Sequence, residues 1–264
     1  MRLATFIQSE TGIKMPHNKL TMLEGRLRRR VRATGVADLN TYCEFLFDAK
    51  FGRDENVHLI NAVTTNKTDF FREPRHFDYL TQTILPELKA KASRRIRVWS
   101  AACSTGAEPY TLAMLLDDFA DKHHGPDYGI LATDLDTQVL EIARRGIYPA
   151  ELIQPVPERL RARYVMQPLE KTSSDVRIVP SLRAAVGYAR LNLMDDNYPV
   201  GEPMDIIFCR NVLIYFDKQT QEQVVSKLCG KLRVGGWLVL GHSESIAGMT
   251  LPVEQVCNTV FKRI

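Results

Sequence analysis

Apolar residues recur every three or four positions through the N-terminal part of the chain. Leu3, Phe6 and Ile7 form one stripe, Leu20, Leu23, Leu27 and Val31 a second, Tyr42, Phe45 and Leu46 a third, and Val57, Ile60 and Val63 a fourth. That period places side chains on one helical face, so it predicts four amphipathic helices. Gly12, Gly35 and Gly52 fall between the stripes, where helix C-caps are expected. Pro74, acceptable in a first helical turn, opens a further helix expected to run through Leu88. To about Glu87 the chain reads as helix only.

From Ile96 the texture changes to short apolar strands alternating with helices. Strands are expected at Ile96–Ala101, Ile130–Thr133, Val186–Leu191, Ile206–Phe208, Trp237–Gly241 and Thr259–Lys262, and helices at Glu108–Ala120, Thr137–Arg144 and Thr220–Leu232. This alternation predicts a doubly wound, mostly parallel sheet with helices on both faces. A helical domain over 1–87 and an α/β domain over 88–264 follow. An interruption at about 155–181 holds Pro155, Pro157, Pro168, a Ser173-Ser174-Asp175 turn and the strand-like Val176–Val179. It reads as a small inserted β element, or else as a long ordered connection.

Composition adds boundaries. With 45% apolar and 25% charged residues, the chain fits neither the disordered nor the fibrous class. No apolar run approaches the roughly 18 residues of a membrane span, and the N-terminus lacks a signal-peptide pattern. The five cysteines are scattered without a CxxC pair. A cytoplasmic location is expected, with no membrane insertion, no disulfide framework and no metal site.

The strand ends carry the chemistry. Ile96–Ala101 runs into Ala102-Cys103-Ser104-Thr105-Gly106-Ala107-Glu108, small residues and a glycine through which backbone amides can approach a ligand. The segment is neither GxGxxG nor a P-loop. The next strand ends at Asp134, where nucleotide-binding α/β folds hold ribose hydroxyls. Either feature alone also fits a tight βα turn or a helix cap. Asp136 or Thr137 is the better cap, however, which leaves Asp134 for a ligand, and the pair points to a nucleoside cofactor. Asn192-Leu193 offers an amide matched to an adenine edge and an apolar cover. Arg210 and Asn211 end another strand, where polar groups are costly unless they hold something.

The strings Thr65-Asn66-Lys67-Thr68-Asp69-Phe70-Phe71-Arg72, Ser104–Glu108, Thr133-Asp134, Asn192-Leu193, Cys209-Arg210-Asn211 through Tyr215-Phe216, and Gly241-His242-Ser243-Glu244-Ser245 resemble, in order, the glutamate O-methyltransferases of chemotaxis receptors. The resemblance implies a Rossmann-like domain dependent on S-adenosylmethionine, with S-adenosylhomocysteine as product and a small inserted β subdomain, preceded by an all-helical domain. It implies cofactor contacts from Asn66, Thr68, Arg72, Glu108, Asp134, Asn192, Leu193, Arg210 and Asn211, and catalytic roles for Arg72 and Tyr215 beside the transferred methyl. Asp69 and Glu244 show no partner in sequence and are read as structural.

Two other functions compete. A nucleic-acid methyltransferase would be expected to carry a [DN]PP[YFW] string or a Pro-Cys nucleophile; Arg210-Asn211-Val212-Leu213 and Phe208-Cys209 stand there instead. A non-catalytic cofactor-sensing module would not need Arg72 and Tyr215. Lys19, Arg26, Arg28, Arg29, Arg30 and Arg32 crowd one helix, which reads as a solvated face, a nucleic-acid patch or a dock for an acidic partner, although so much charge of one sign self-repels. The resemblance makes it a dock for the acidic cytoplasmic signalling region of chemoreceptors. Without interleaved aromatics, nucleic acid is not the expected partner. The family's inserted β element can also dock a receptor's C-terminal tail, but Gln167–Asp175 has no glycine, which speaks against tail tethering.

Overall fold

The computed structural model describes residues 2–16, 20–48, 52–91, 95–168 and 174–264. Helices α1 (Arg2–Thr11), α2 (Leu20–Thr34), α3 (Leu39–Leu46) and α4 (Gly52–Val63) come first. Their stripes meet in one core around Ile7, Leu27, Tyr42, Leu46 and Leu59. Gly12 ends α1 in the left-handed region, φ 71°, as a helix terminator should. Gly52 departs from expectation: it opens α4 instead of closing α3, and a Cβ there would overlap the Leu46 carbonyl.

α5 (Arg75–Tyr79) and α6 (Leu85–Lys91) join through a π-helical turn at Leu80–Ile84. Phe77, Leu80, Ile84 and Leu88 pack into the core of the sheet, whereas the N-terminal cluster stops at Val63. On this packing we propose that the helical domain ends near Val63, short of the expected 87. Helical periodicity does not reveal which core a helix joins.

The α/β part runs β1 (Ile96–Ala101), α7 (Ala107–His123), β2 (Tyr128–Asp134), α8 (Thr137–Arg145), β3 (Ile147–Pro149), α9 (Glu158–Tyr164), β4 (Val165–Met166), β5 (Asp175–Ile178), α10 (Pro180–Ala185), β6 (Val186–Arg190), β7 (Met204–Cys209), α11 (Lys218–Lys231), β8 (Leu232–Leu240), β9 (Val253–Cys257) and β10 (Val260–Arg263). Seven strands form one sheet in the order β6-β2-β1-β7-β8-β10-β9. Pairing is parallel from β6 through β8, and β10 is antiparallel to both neighbours. Alternate residues of β7, Ile206 and Phe208 against Ile207 and Cys209, enter two different cores. Both faces of the sheet are therefore covered. The unexpected strand β9 is mostly exposed at the sheet edge and alternates weakly, so period two gave no signal there.

β3, β5 and β4 make a separate antiparallel sheet. The insertion thus begins at Ile147, before the expected 155, and its three-residue first strand is too short to read by pattern. Part of the loop considered for tail docking, 169–173, lies outside the described residues. Among the described residues no helix is long and apolar enough to cross a membrane.

The basic face of α2 is smaller than the sequence suggests. Arg26 donates to the Val63 and Thr64 carbonyls at 2.6 and 2.8 Å, and to Thr65 Oγ1. Arg30 makes a two-pronged pair with buried Glu55 at 2.9 and 2.8 Å. Arg28, Arg29 and Arg32 remain exposed; Lys19 lies outside the described residues.

Candidate active site

The parallel register sets Ala101 beside Thr133 on one side and Cys209 on the other. It also sets Asp134 beside Arg190, just before Leu191-Asn192-Leu193. Four predicted segments therefore leave the sheet at one edge. Strand order reverses between β1 and β7, and ligands of open α/β sheets bind at such switch points. A cleft opens there, enclosing about 950 Å³ including its mouth. Every predicted site residue lines it: Asn66, Thr68, Arg72, Glu108, Asp134, Asn192, Leu193, Arg210, Asn211 and Tyr215.

The turn after β1 is shaped by conformation. Ala102, Ser104 and Gly106 all have positive φ. Only glycine suits the last, because a Cβ would come within 2.8 Å of both Ala143 Cβ and the Tyr148 hydroxyl. The turn exposes the Ser104 amide, which donates to Asp134 Oδ2 at 2.8 Å, while the Asp136 amide donates to Oδ1 at 2.9 Å. The Leu135 amide also contributes, so of the roughly four lone-pair sites on the two oxygens at least one is left for a ligand. Burial pushes this carboxyl up to about 6, against those amides and with help from the Asp136 charge. Asp136 caps α8, as expected, by accepting from the Gln138 and Val139 amides.

Asn66 faces both ways. Its side chain donates to Asp136 Oδ2 at 2.7 Å, and its carbonyl accepts from Ser104 Oγ. Asn192 donates to the Glu10 carbonyl at 2.6 Å and accepts from the Met194 amide, so half of its amide capacity is already engaged. Arg72, half-buried, donates to the Lys67 carbonyl at 3.0 Å.

Arg210 is the most constrained of the set. Its side chain is 2% exposed, with ion pairs to Glu73 at 2.9 Å and Glu108 at 3.1 Å, and it also donates to the Arg72 carbonyl. It therefore acts as a strut between the Arg72–Glu73 segment and the first turn of α7. Glu73 also accepts from Asn211 Nδ2 at 3.0 Å and the His242 amide at 3.2 Å. Burial would raise the Glu73 carboxyl, but the Asn211 and Arg210 hydrogen bonds and the Arg210 charge outweigh it and hold it at about 2. Glu244, read as structural, accepts from the amides of Gly241, Asn211, Val212 and Leu213. That one carboxylate fixes the loop carrying Asn211 and Tyr215. Cys209 lies in the core, where burial pushes its thiol far above the ordinary range, which leaves no nucleophile there.

Comparison with known proteins accounts for nearly all of the chain. The all-alpha domain of CheR methyltransferases matches residues 1–64, and their SAM-binding domain matches 66–261. The chain belongs to the CheR methyltransferase family. It is 38% identical to a chemotaxis protein methyltransferase of Borreliella burgdorferi, over 99% of this chain and 93% of that one. The corresponding protein of Salmonella typhimurium is 39% identical over 98% of this chain and 88% of its own, and that of Escherichia coli 38% over 93% and 84%. The chain is thus an S-adenosylmethionine-dependent methyltransferase.

The chemistry of the cleft fits such a cofactor: it combines the buried carboxylate at the tip of β2 with apolar Leu135, Leu193 and Val212 and charged Arg72 and Glu108. Three elements of this CheR site escaped the sequence. Thr11 and Ile13 of the helical domain line the cleft. The Lys14 amide donates to the Tyr215 carbonyl, so the N-terminal domain closes one wall. Glu73 was the third, and the need of buried Arg210 for a nearby carboxylate was its one available signal.

Proposed function

We propose that the chain transfers the methyl group of S-adenosylmethionine to glutamate side chains of chemoreceptors, forming methyl esters. The observation that carries this reading is the convergence of Arg72 and Tyr215 on a cleft with a buried ribose-type acid, Asp134, in a chain related throughout to chemotaxis methyltransferases. The cofactor supplies a sulfonium methyl, open to in-line displacement. A glutamate acceptor, with an ordinary pKa of about 4.3, is ionised at neutral pH and needs no base. Orientation and exclusion of water remain for the protein. Arg72 holds the acceptor carboxylate in its fork of donors, and the Tyr215 hydroxyl donates to the reacting end. Asp134 takes the ribose hydroxyls, with Asn66, Thr68, Glu108, Asn192 and Leu193 around the rest. Arg210 shapes the wall, together with Asn211.

The receptor's acidic helices dock on α2 through Arg28, Arg29 and Arg32. Reversing these three charges is expected to slow receptor methylation and leave cofactor affinity unchanged, with added salt mimicking the effect on the unmodified chain. Arg26 and Arg30 are excluded from the test because both are tied into the fold. Salt-insensitive methylation, or full activity in the reversed variant, would remove α2 from the docking surface.

A further inference from the structure

Glu73, the carboxylate that holds Arg210, belongs to a second cluster. It, His76 and His242 bring one carboxylate oxygen and two imidazole nitrogens within 4.8 Å of one another. Their protonation can be read from the hydrogen bonds. Thr259 Oγ1 donates its one hydrogen to the Asn258 carbonyl at 2.8 Å, and it lies 2.8 Å from His76 Nε2. The hydroxyl therefore accepts, and Nε2 carries the proton. His76 Nδ1 is left with a bare lone pair. That atom is buried, has no hydrogen-bond partner among the described residues, and lies 3.5 Å from Glu73 Oε2. Two acceptors thus face each other without a hydrogen between them, on a side chain only 3% exposed. Glu73 Oε2 already accepts from Arg210 and the His242 amide, but the buried His76 lone pair has no donor or cation of its own among the described residues.

Two imidazole nitrogens and one carboxylate oxygen form the donor set of zinc and its neighbours; calcium and magnesium take oxygen ligands in larger number. At metal–ligand bonds of about 2.0–2.2 Å, tetrahedral donors sit roughly 3.3 Å apart, close to the Glu73–His76 separation. His242 is exposed, with its ring 4.6 Å from that of His76, so it can swing inward. The Thr259 contact supplies the hydrogen bond that ligating histidines ordinarily make through their other nitrogen.

We propose that Glu73, His76 and His242 bind one divalent transition-metal ion of the zinc class, and that the bound ion opposes cofactor binding by competing with Arg210 for Glu73 Oε2. Arg210 lines the cofactor cleft, so the ion and the cofactor site are linked through one carboxylate oxygen. The coupling rests on the cofactor reading of the cleft; the metal site does not.

The test is calorimetric titration of the metal-stripped full chain with zinc, and separately with S-adenosylhomocysteine at low and saturating zinc. One zinc per chain is expected, and His242→Ala should weaken it on the order of tenfold or more. The same variant should keep its melting temperature and its zinc-free affinity for S-adenosylhomocysteine. A His123→Ala/His124→Ala control should bind zinc normally. Zinc should lower S-adenosylhomocysteine affinity in the unmodified chain and not in His242→Ala. Unchanged zinc affinity in His242→Ala, loss of it in the His123/His124 control, or no binding at all overturns the site. Cofactor affinity indifferent to bound zinc overturns the coupling.

Discussion

Replacing Arg210 with methionine is expected to destabilise the chain by about 3–5 kcal/mol, because it strands two partly buried carboxylates that now share one guanidinium. Glu73 and Glu108 lie 2.9 and 3.1 Å from that group. For a chain of this size the change corresponds to a fall in melting temperature on the order of 10 °C. Adding Glu73→Gln should restore part of the loss by removing one stranded charge. Thermal unfolding of the single and double variants checks this. If Arg210→Met kept its melting temperature and lost only cofactor affinity, Arg210 would be a direct ligand of the cofactor and not a strut.

Asp134→Ala is expected to weaken cofactor binding about ten- to a hundredfold, from the loss of charge-assisted hydrogen bonds worth roughly 1.5–3 kcal/mol. The pH dependence gives a second readout. With its carboxyl near 6, native Asp134 keeps its proton to higher pH than the unfolded chain, whose value is 3.8. Its own share of folding stability is thus present below 3.8 and lost as pH rises through about 6. Cofactor affinity runs the other way: hydroxyl donors need the ionised form, so affinity should fall as pH drops through about 6. In Asp134→Ala that inflection should vanish. Calorimetry across this range decides the matter, and an unchanged affinity in a folded variant would take Asp134 out of the site.

Much of this was legible in the sequence because strand tips in a parallel sheet share one edge. Once Ile96–Ala101, Ile130–Thr133 and Ile206–Phe208 are strands, the turn before Glu108, Asp134 and Arg210-Asn211 must converge. What escaped depends on contacts between distant segments. Arg26 reads as surface charge until the Val63 and Thr64 carbonyls are seen beneath it. His76 and His242 are isolated histidines in sequence, and no local spacing joins them. The role of Glu244 lies in four backbone amides, three in the turn after β7 and one after β8, whose direction depends on those turns and not on residue type. Asn192 reads in sequence as an amide suited to an adenine edge, yet one of its donors is spent on α1, a docking that helical periodicity cannot foresee.

Formation of a methyl ester on receptor glutamate is tested most directly by incubating the chain with methyl-labelled S-adenosylmethionine and receptor-containing membranes, then exposing the labelled receptor to mild base. Release of the label as methanol, with the modified positions mapping to glutamates and with transfer lost in Arg72→Ala at an unchanged melting temperature, is the predicted result. Label that survives base on the receptor, or that appears on nucleic acid, would contradict the account.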